Sequence, residues 1–384
     1  MSTRSSTDPV FNHNYWMYEA EGLAREGMAL AHPNPRVGAV VVKQGLAVGR
    51  GFHDYDRRDH AEIVALKQAG DSARGAALYV SLEPCCHTGR TGPCTEAIVA
   101  AGIRQVFVSM IDPNPSVAGR GLAALKRAGL EVHVREADDD YARETNEDFA
   151  KWIQTERPFI TLKTALTLDG QIAMRPGHST SISSQPSRDF VQRLRHESDA
   201  LLTGIGTVLV DDPLLTDRTG QPRRRKLLRA VVDSHLRLPL GSRLARSAKG
   251  DVIVFTIESP QARKGRALKR AGVEVFRVRA RRGRVDLREV ARELGRREML
   301  NVLLEAGAAL NGGALEADLV DKLILFYSPR IMGTGGVPMA QISSRWFPKS
   351  PVLGHMMVDR YGPDFVVQGY IHDVYRDYRG RRKN

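Results

Sequence analysis

The chain has three cysteines, Cys85, Cys86 and Cys94, and they fall within ten consecutive positions. A secreted disulfide framework spreads an even number of cysteines along the sequence, so a tight cluster points instead to metal binding or catalysis in a reducing compartment, here the cytoplasm. The surroundings of the cluster constrain the fold. Pro84-Cys85 follows a short apolar run, Ala77 to Leu82, that reads as a buried strand, and Cys94 stands at the start of a helix over Thr95 to Ala101. His60-Ala61-Glu62 opens another helix that runs to Ala69. One imidazole and two thiolates supply the three protein ligands of a catalytic zinc and leave a fourth position for water. Two helix starts and the end of one strand must therefore converge on a point. Helix N-termini suit this task, because the dipole and the free N–H groups favour thiolate over thiol.

Glu62 lies two residues from His60, close enough to reach a zinc-bound water without ligating the metal. A carboxylate there can take the proton of that water and pass it to a leaving amine. His-x-Glu, then Pro-Cys, then a second Cys is the arrangement of zinc deaminases. Here eight residues, Cys86 to Pro93, separate Cys85 from Cys94. A closed structural site completed by Cys86 and His87 is the alternative. Adjacent Cys85 and Cys86 are awkward as joint ligands, however, and a closed site leaves Glu62 idle.

The chain's 384 residues suit two domains. In the first part, helical spacing covers Asn14 to Leu30, and strands read at Val37 to Lys43, Leu46 to Phe52, Gln105 to Met110 and Leu130 to Val134, with a helix over Leu122 to Arg127. Alternation of this kind predicts an α/β sandwich with a largely parallel sheet. A charged helix over Asp138 to Thr155 closes this part, and Glu156-Arg157-Pro158 ends it. The expected organisation is a disordered polar leader over 1–12, a first domain over 13–156, a second over 157–373 and a basic tail over 374–384. The second domain restarts with a strand at Phe159 to Leu166. A helix over Ser187 to His196 and strands at Ala200 to Thr203, Leu228 to Asp233, Asp251 to Thr256, Val273 to Arg277 and Asn301 to Glu305 follow. Late strands at Leu323 to Tyr327 and Phe365 to Ile371 suit an antiparallel edge. The leader has no apolar stretch of the secretory kind, and no apolar run is long enough to span a bilayer. The formal charge of +13 is concentrated near Arg223 to Arg229, Arg277 to Arg284 and Arg376 to Lys383. These runs read first as solvated surface and next as attraction for small anionic molecules; no aromatic residues interleave with them to make stacking platforms, so a nucleic-acid partner is not expected.

At this point the sequence is identified as a member of a known family. His32-Pro33-Asn34-Pro35 with Val37-Gly38-Ala39-Val40, His60-Ala61-Glu62 and Ser81-Leu82-Glu83-Pro84-Cys85 through Pro93-Cys94 carry the resemblance. Asp112-Pro113-Asn114-Pro115 with Gly119-Arg120-Gly121 adds to it. Together they resemble the bifunctional diaminohydroxyphosphoribosylaminopyrimidine deaminase / 5-amino-6-(5-phosphoribosylamino)uracil reductases of riboflavin biosynthesis, over about Tyr15 to Gln368. The long insert with Gly89-Arg90-Thr91 separates this family from cytidine and tRNA deaminases. The resemblance implies a cytidine-deaminase-like α/β/α sandwich followed by a dihydrofolate-reductase-like α/β domain. It implies that His60, Cys85 and Cys94 bind zinc, that Glu62 is the catalytic proton shuttle, and that Asn34, His53, His87 and Arg90 hold the phosphoribosyl-pyrimidine. Cys86 stands where the family often has Ser and reads as a small filler.

Without the resemblance the second domain is a generic α/β unit with suggestive features. Lys163 lies in an apolar strand, where a lysine either snorkels or serves a site. Thr203-Gly204-Ile205-Gly206-Thr207 follows a strand and opens a helix, an arrangement that lets backbone N–H groups approach a phosphate, although it is not a Rossmann fingerprint. Leu304-Glu305-Ala306-Gly307, followed by Asn311-Gly312-Gly313, reads as another strand-to-glycine turn. The resemblance implies NADPH contacts at Ala165, Ser181, Thr207, Asp211, Ser234, Gly307, Gly312 and Gly313. It implies substrate contacts at Lys163, Ser179, Arg195, Leu215, Arg218 and Glu305. One departure stands out: Ser181 occupies a position where the family carries Trp, so a stacking surface is missing. The expected protein is a zinc- and NADPH-dependent enzyme acting on a small molecule, a homo-oligomer with neither nucleic acid nor membrane as partner. The rivals are a deaminase whose second domain does not reduce, a nucleic-acid-editing deaminase and a structural zinc protein.

Overall fold

A computed structural model describes residues 13–87, 92–135, 140–343 and 350–376. The chain forms two compact units, one reaching to Gln154 and taking in Pro222–Arg224, the other running from Thr155 to Gln221 and from Arg225 onward.

The first unit contains α1 (His13–Glu26), β1 (Gly38–Lys43), β2 (Leu46–Phe52), α2 (Ala61–Ala69), β3 (Ala77–Val80), α3 (Cys94–Ala100), β4 (Gln105–Val108), α4 (Arg120–Arg127), β5 (Glu131–Val134), α5 (Asp140–Thr145) and α6 (Glu147–Thr155). The strands form one sheet in the order β2-β1-β3-β4-β5. It is not largely parallel, as the alternation of elements suggests. β1 pairs antiparallel with both β2 and β3, and only β3, β4 and β5 run parallel. The reason is local: Gln44-Gly45 makes a tight turn with both residues at positive φ, so β2 folds straight back on β1. The charged helix expected over Asp138 to Thr155 is two helices, broken at Asn146. The Asn146 side chain accepts from the Arg36 backbone N–H and donates to the Arg36 carbonyl, and the Arg36 guanidinium grips Asp148 at 2.6 and 2.7 Å. A tertiary clamp thus overrides continuous helix.

Two glycines set the distances that matter for function. α2 carries alanines at 61, 65 and 69, all buried, and lies directly on β2. A Cβ at Gly51 would come within 2.5 Å of the Ala61 carbonyl, so only glycine lets the strand approach the start of α2. Gly121 similarly lets α4 approach the Pro84 carbonyl, which a Cβ would meet at 2.1 Å. The Glu83 carboxylate fastens the same junction by accepting from the backbone N–H groups of Asp112, Gly119, Gly121 and Leu122.

The second unit contains β6 (Phe159–Thr167), β7 (Gln171–Ala173), α7 (Gln185–Glu197), β8 (Ala200–Gly204), α8 (Ile205–Asp211), β9 (Leu228–Val232), α9 (Arg243–Arg246), β10 (Val252–Thr256), α10 (Arg263–Arg270) and β11 (Val273–Arg277). It continues through β12 (Ala280–Arg281), β13 (Arg284–Val285), α11 (Leu287–Arg296), β14 (Asn301–Leu304), α12 (Ala308–Glu316), β15 (Lys322–Ser328), β16 (Val337–Pro338), β17 (Gly354–Tyr361) and β18 (Asp364–Tyr370). Its main sheet has the order β11-β10-β9-β8-β14-β6-β15-β18-β17. From β11 to β15 neighbours are parallel, and β18 and β17 close the sheet as an antiparallel hairpin. Buried Leu162, Leu202, Val302 and Leu304 form the centre of the core. Because β9, β8, β14 and β6 run parallel, the residues that follow them emerge together at one end of the sheet, where open α/β folds bind ligands. The glycine turn expected over Gly307 to Gly313 is instead the helix α12, with Gly307 as its N-cap. Gly312 lies inside that helix, where a Cβ would meet the Gln341 carbonyl at 2.0 Å, so it serves close packing.

Candidate active sites

His60 is the N-cap residue of α2 and Cys94 the first residue of α3, and the loop after β3 brings Cys85 between them. The His60 Nδ1 lies 3.2 Å from the Cys94 sulfur and 3.5 Å from that of Cys85, and the Cys94 backbone N–H donates to the Cys85 Sγ at 3.4 Å. All three donor atoms lie within 4.8 Å of one another. Tetrahedral ligands at about 2.0 to 2.3 Å from a zinc ion stand at such separations, so the donor set fits the metal. The chemistry of the sulfurs fits as well. A hydrogen bond from Cys94 holds the Cys85 thiol well below its ordinary range, whereas Cys94, hydrogen-bonded to Cys85 and buried, is pushed up. A zinc ion between the two sulfurs would take the place of the proton they share, because a metal-bound sulfur is a thiolate. Among the described residues no other such group of three donors exists, and Cys86 and His87 do not belong to it.

Glu62 is buried on the first turn of α2, and burial pushes its carboxyl up to about 6. A cavity of about 350 Å³ adjoins the cluster, lined by Asn34, His53, His60, Glu62, Cys85 and His87 among others. Asn34 Nδ2 donates to His53 Nε2 at 3.1 Å, and His53 Nδ1 meets the Asp59 carbonyl at 3.0 Å. These contacts define a neutral imidazole protonated on Nδ1, and burial lowers the pKa of His53 accordingly. Arg90 lies outside the described residues. Asp112, noted in the sequence only as part of a motif, also lines the cavity, with burial pushing its carboxyl up to about 7. Phe149 and Trp152 of α6 supply an apolar wall that no local spacing announces.

In the second unit Lys163, Arg195 and Glu305 come together. Glu305 follows β14 next to β6, one step beyond the Leu304–Leu162 pair and therefore beside Lys163. Arg195 of α7 holds the Glu305 carboxylate, and Lys163 Nζ stands 3.7 Å from Oε2. Burial alone would raise the Glu305 pKa; the two cations overcome it and hold the carboxyl at about 2. Ala165 shares the Lys163 face of β6. Thr207 and Asp211 ride on α8, Gly307 caps α12, and Ser234 follows β9 with its Oγ accepting from the Val285 N–H. Ser179 and Ser181 lie in an exposed stretch before α7, and Arg330 donates to the Ser181 carbonyl at 3.4 Å. Leu215 is buried at positive φ, while Arg218 is exposed and is tied through its backbone N–H to Gln192.

The family model for the cytidine and deoxycytidylate deaminase zinc-binding region matches residues 11–110, and that for the RibD C-terminal domain matches residues 158–367. The fold and its sites thus define a zinc-dependent deaminase joined to a dihydrofolate-reductase-like reductase that uses NADPH. The riboflavin biosynthesis protein RibD of Aquifex aeolicus is 39% identical over 352 residues, covering 92% of this chain and 96% of its own. That of Escherichia coli is 39% identical, covering 83% and 88%. Among solved structures, Acinetobacter baumannii RibD is 34% identical with a TM-score of 0.81, covering 93% of this chain and 98% of its own. A Thermotoga maritima diaminohydroxyphosphoribosylaminopyrimidine deaminase/5-amino-6-(5-phosphoribosylamino)uracil reductase is 33% identical with a TM-score of 0.77, covering 93% and 97%. This chain belongs to the RibD family of bifunctional riboflavin-biosynthesis enzymes. It is a bifunctional deaminase and NADPH-dependent reductase of riboflavin biosynthesis. Among the described residues, no helix is long and apolar enough to cross a membrane.

Proposed function

We propose that His60, Cys85 and Cys94 hold the zinc and that Glu62 moves the protons of deamination. The observation that carries this reading is the convergence of three donor atoms within 4.8 Å, beside a buried carboxyl and an adjoining cavity. Bound zinc lowers the pKa of a coordinated water toward neutrality. The Glu62 carboxylate accepts one proton of the attacking water and delivers it to the ring nitrogen, then takes the proton of the hydroxyl added to the ring carbon and gives it to the departing amine, which leaves as ammonia. Asn34 and the neutral His53 orient the pyrimidine, with His87 and Arg90 as further substrate contacts. The buried walls exclude competing water.

In the reductase, Lys163, Arg195 and Glu305 form the polar floor under the sugar, with Ser179, Leu215 and Arg218 completing the substrate side. NADPH supplies the hydride. Ala165, Ser181, Thr207, Asp211, Ser234 and Gly307 position it at the end of the parallel sheet, while Gly312 and Gly313 act from inside α12 through packing. This reading puts the domain boundary at 156/157, in the connection between α6 and β6 and two residues past the end of the first compact unit. Three free cysteines support a reducing, cytoplasmic location. The edge strand β17, with exposed Met356 and Val358, supports a homo-oligomer.

Mass analysis of the products tests this reading. Without NADPH the phosphoribosyl-pyrimidine should exchange an amine for an oxygen and release ammonia; with NADPH the product should gain two hydrogens. Unchanged substrate in the first arm refutes the deaminase assignment, and no cofactor consumption in the second refutes the reductase.

A further inference from the structure

The loop between β2 and α2 carries five charged residues in six positions, Asp54 to Asp59. Four of them are paired: Asp54 with Arg57 at 3.2 Å, Asp59 with Lys67 at 2.6 Å, and Asp56 with Arg224, a residue of the same compact unit, at 2.9 Å. Arg58 is the exception. Among the described residues its guanidinium has neither an ion pair nor a hydrogen bond. It is also the loop's charged member that lines the deaminase cavity. Its backbone sits at φ +69°, the left-handed region that disfavours any residue with a Cβ. The chain thus places an arginine where glycine would be easier, and leaves its charge uncommitted.

The cavity explains what the charge is for. The acids lining it are Glu62, Glu83 and Asp112, and Glu83 is already used to hold backbone N–H groups. Among the described lining residues, Arg58 is the one permanent cation. The substrate carries a phosphate dianion on its ribose. Bringing that dianion to a cavity with acidic walls is unfavourable unless a cation meets it, and a guanidinium meets phosphate with two parallel bonds. We propose that Arg58 binds the substrate phosphate at the deaminase site and so determines the preference for the phosphorylated pyrimidine. This assignment rests on the deaminase reading above.

The test compares ammonia release from the phosphoribosyl-pyrimidine and from the same compound lacking its phosphate. In Arg58→Gln the KM for the phosphorylated substrate should rise roughly ten- to hundredfold, the scale of a lost charge-assisted contact, with kcat and zinc content nearly unchanged. The KM for the dephosphorylated compound should not move. Arg58→Lys should recover part of the loss, and Arg58→Gly, which relieves the backbone, should lose as much as Arg58→Gln while folding at least as well. Equal effects on the two substrates, or no effect on either, overturn the proposal. If the wild type releases no ammonia from the phosphorylated substrate, it is the deaminase reading that fails, and the role of Arg58 with it.

Discussion

Arg195 holds Glu305 through two parallel bonds, Nε to Oε1 at 2.8 Å and Nη2 to Oε2 at 2.9 Å. The pair is nearly buried, and Lys163 adds a second cation to the same carboxylate. Removing the acid leaves two cations facing each other in a dry place. Glu305→Gln should therefore destabilise the second unit by about 3–5 kcal/mol and abolish measurable reduction, while deamination persists. Thermal unfolding with separate assays of the two steps decides this; unimpaired reduction excludes the assigned role.

The same carboxyl predicts a pH dependence. It is held at about 2, below its ordinary 4.5, so its contribution to stability is full above pH 4.5 and fades as the pH falls toward 2. The stability gap between the wild type and Glu305→Gln should be widest near neutrality and narrow across that acid window. Denaturant titrations at several pH values measure the gap; a gap independent of pH contradicts the ion-pair origin.

Cys94→Ser should lose zinc, whereas Cys86→Ser should retain it, because Cys86 stands outside the donor cluster. Elemental analysis of the purified variants gives the answer directly. Equal loss in both would point to a closed site using the adjacent cysteines.

Glu62→Gln should keep the metal and lose deamination by at least about 10²-fold, since an amide of the same size cannot carry a proton. Zinc content and ammonia release measured on the same sample separate this outcome from misfolding. Near-normal turnover sinks the proton-shuttle role.

Ser181→Trp should tighten binding in the reductase about tenfold, because a ring that packs against the bound cofactor contributes on the order of 1–3 kcal/mol and the exposed Ser181 supplies no such surface. Titration of NADPH consumption gives the change in KM. Unaltered binding means that neighbouring residues already supply the missing surface.

The grouping of His60, Cys85 and Cys94 was legible because the zinc chemistry proposed for it demands particular residue types at short spacings: His60 and Glu62 share one helix start, and Cys85 and Cys94 flank one loop. Strands such as β10, apolar and wholly buried, were equally plain. Features set by distant partners were not. Asn146 breaks a continuous helical pattern because Arg36, far away in sequence, recruits its side chain. β17 is exposed along nearly its whole length and shows no alternation to announce it. Gly312 resembles a ligand turn, but its small size answers to the Gln341 backbone. The Asp112 carboxyl and the Phe149 wall belong to the cavity only once the chain has folded.

The contact at Gly51 makes the first active site vulnerable where no chemistry is done. The Ala61 carbonyl that a Cβ would strike is adjacent to His60 in the chain. A single methyl group there would press like a wedge on the start of α2, the end that carries His60 and Glu62. An alanine scan would therefore score Gly51 as severely as a catalytic residue, although it does not line the cavity.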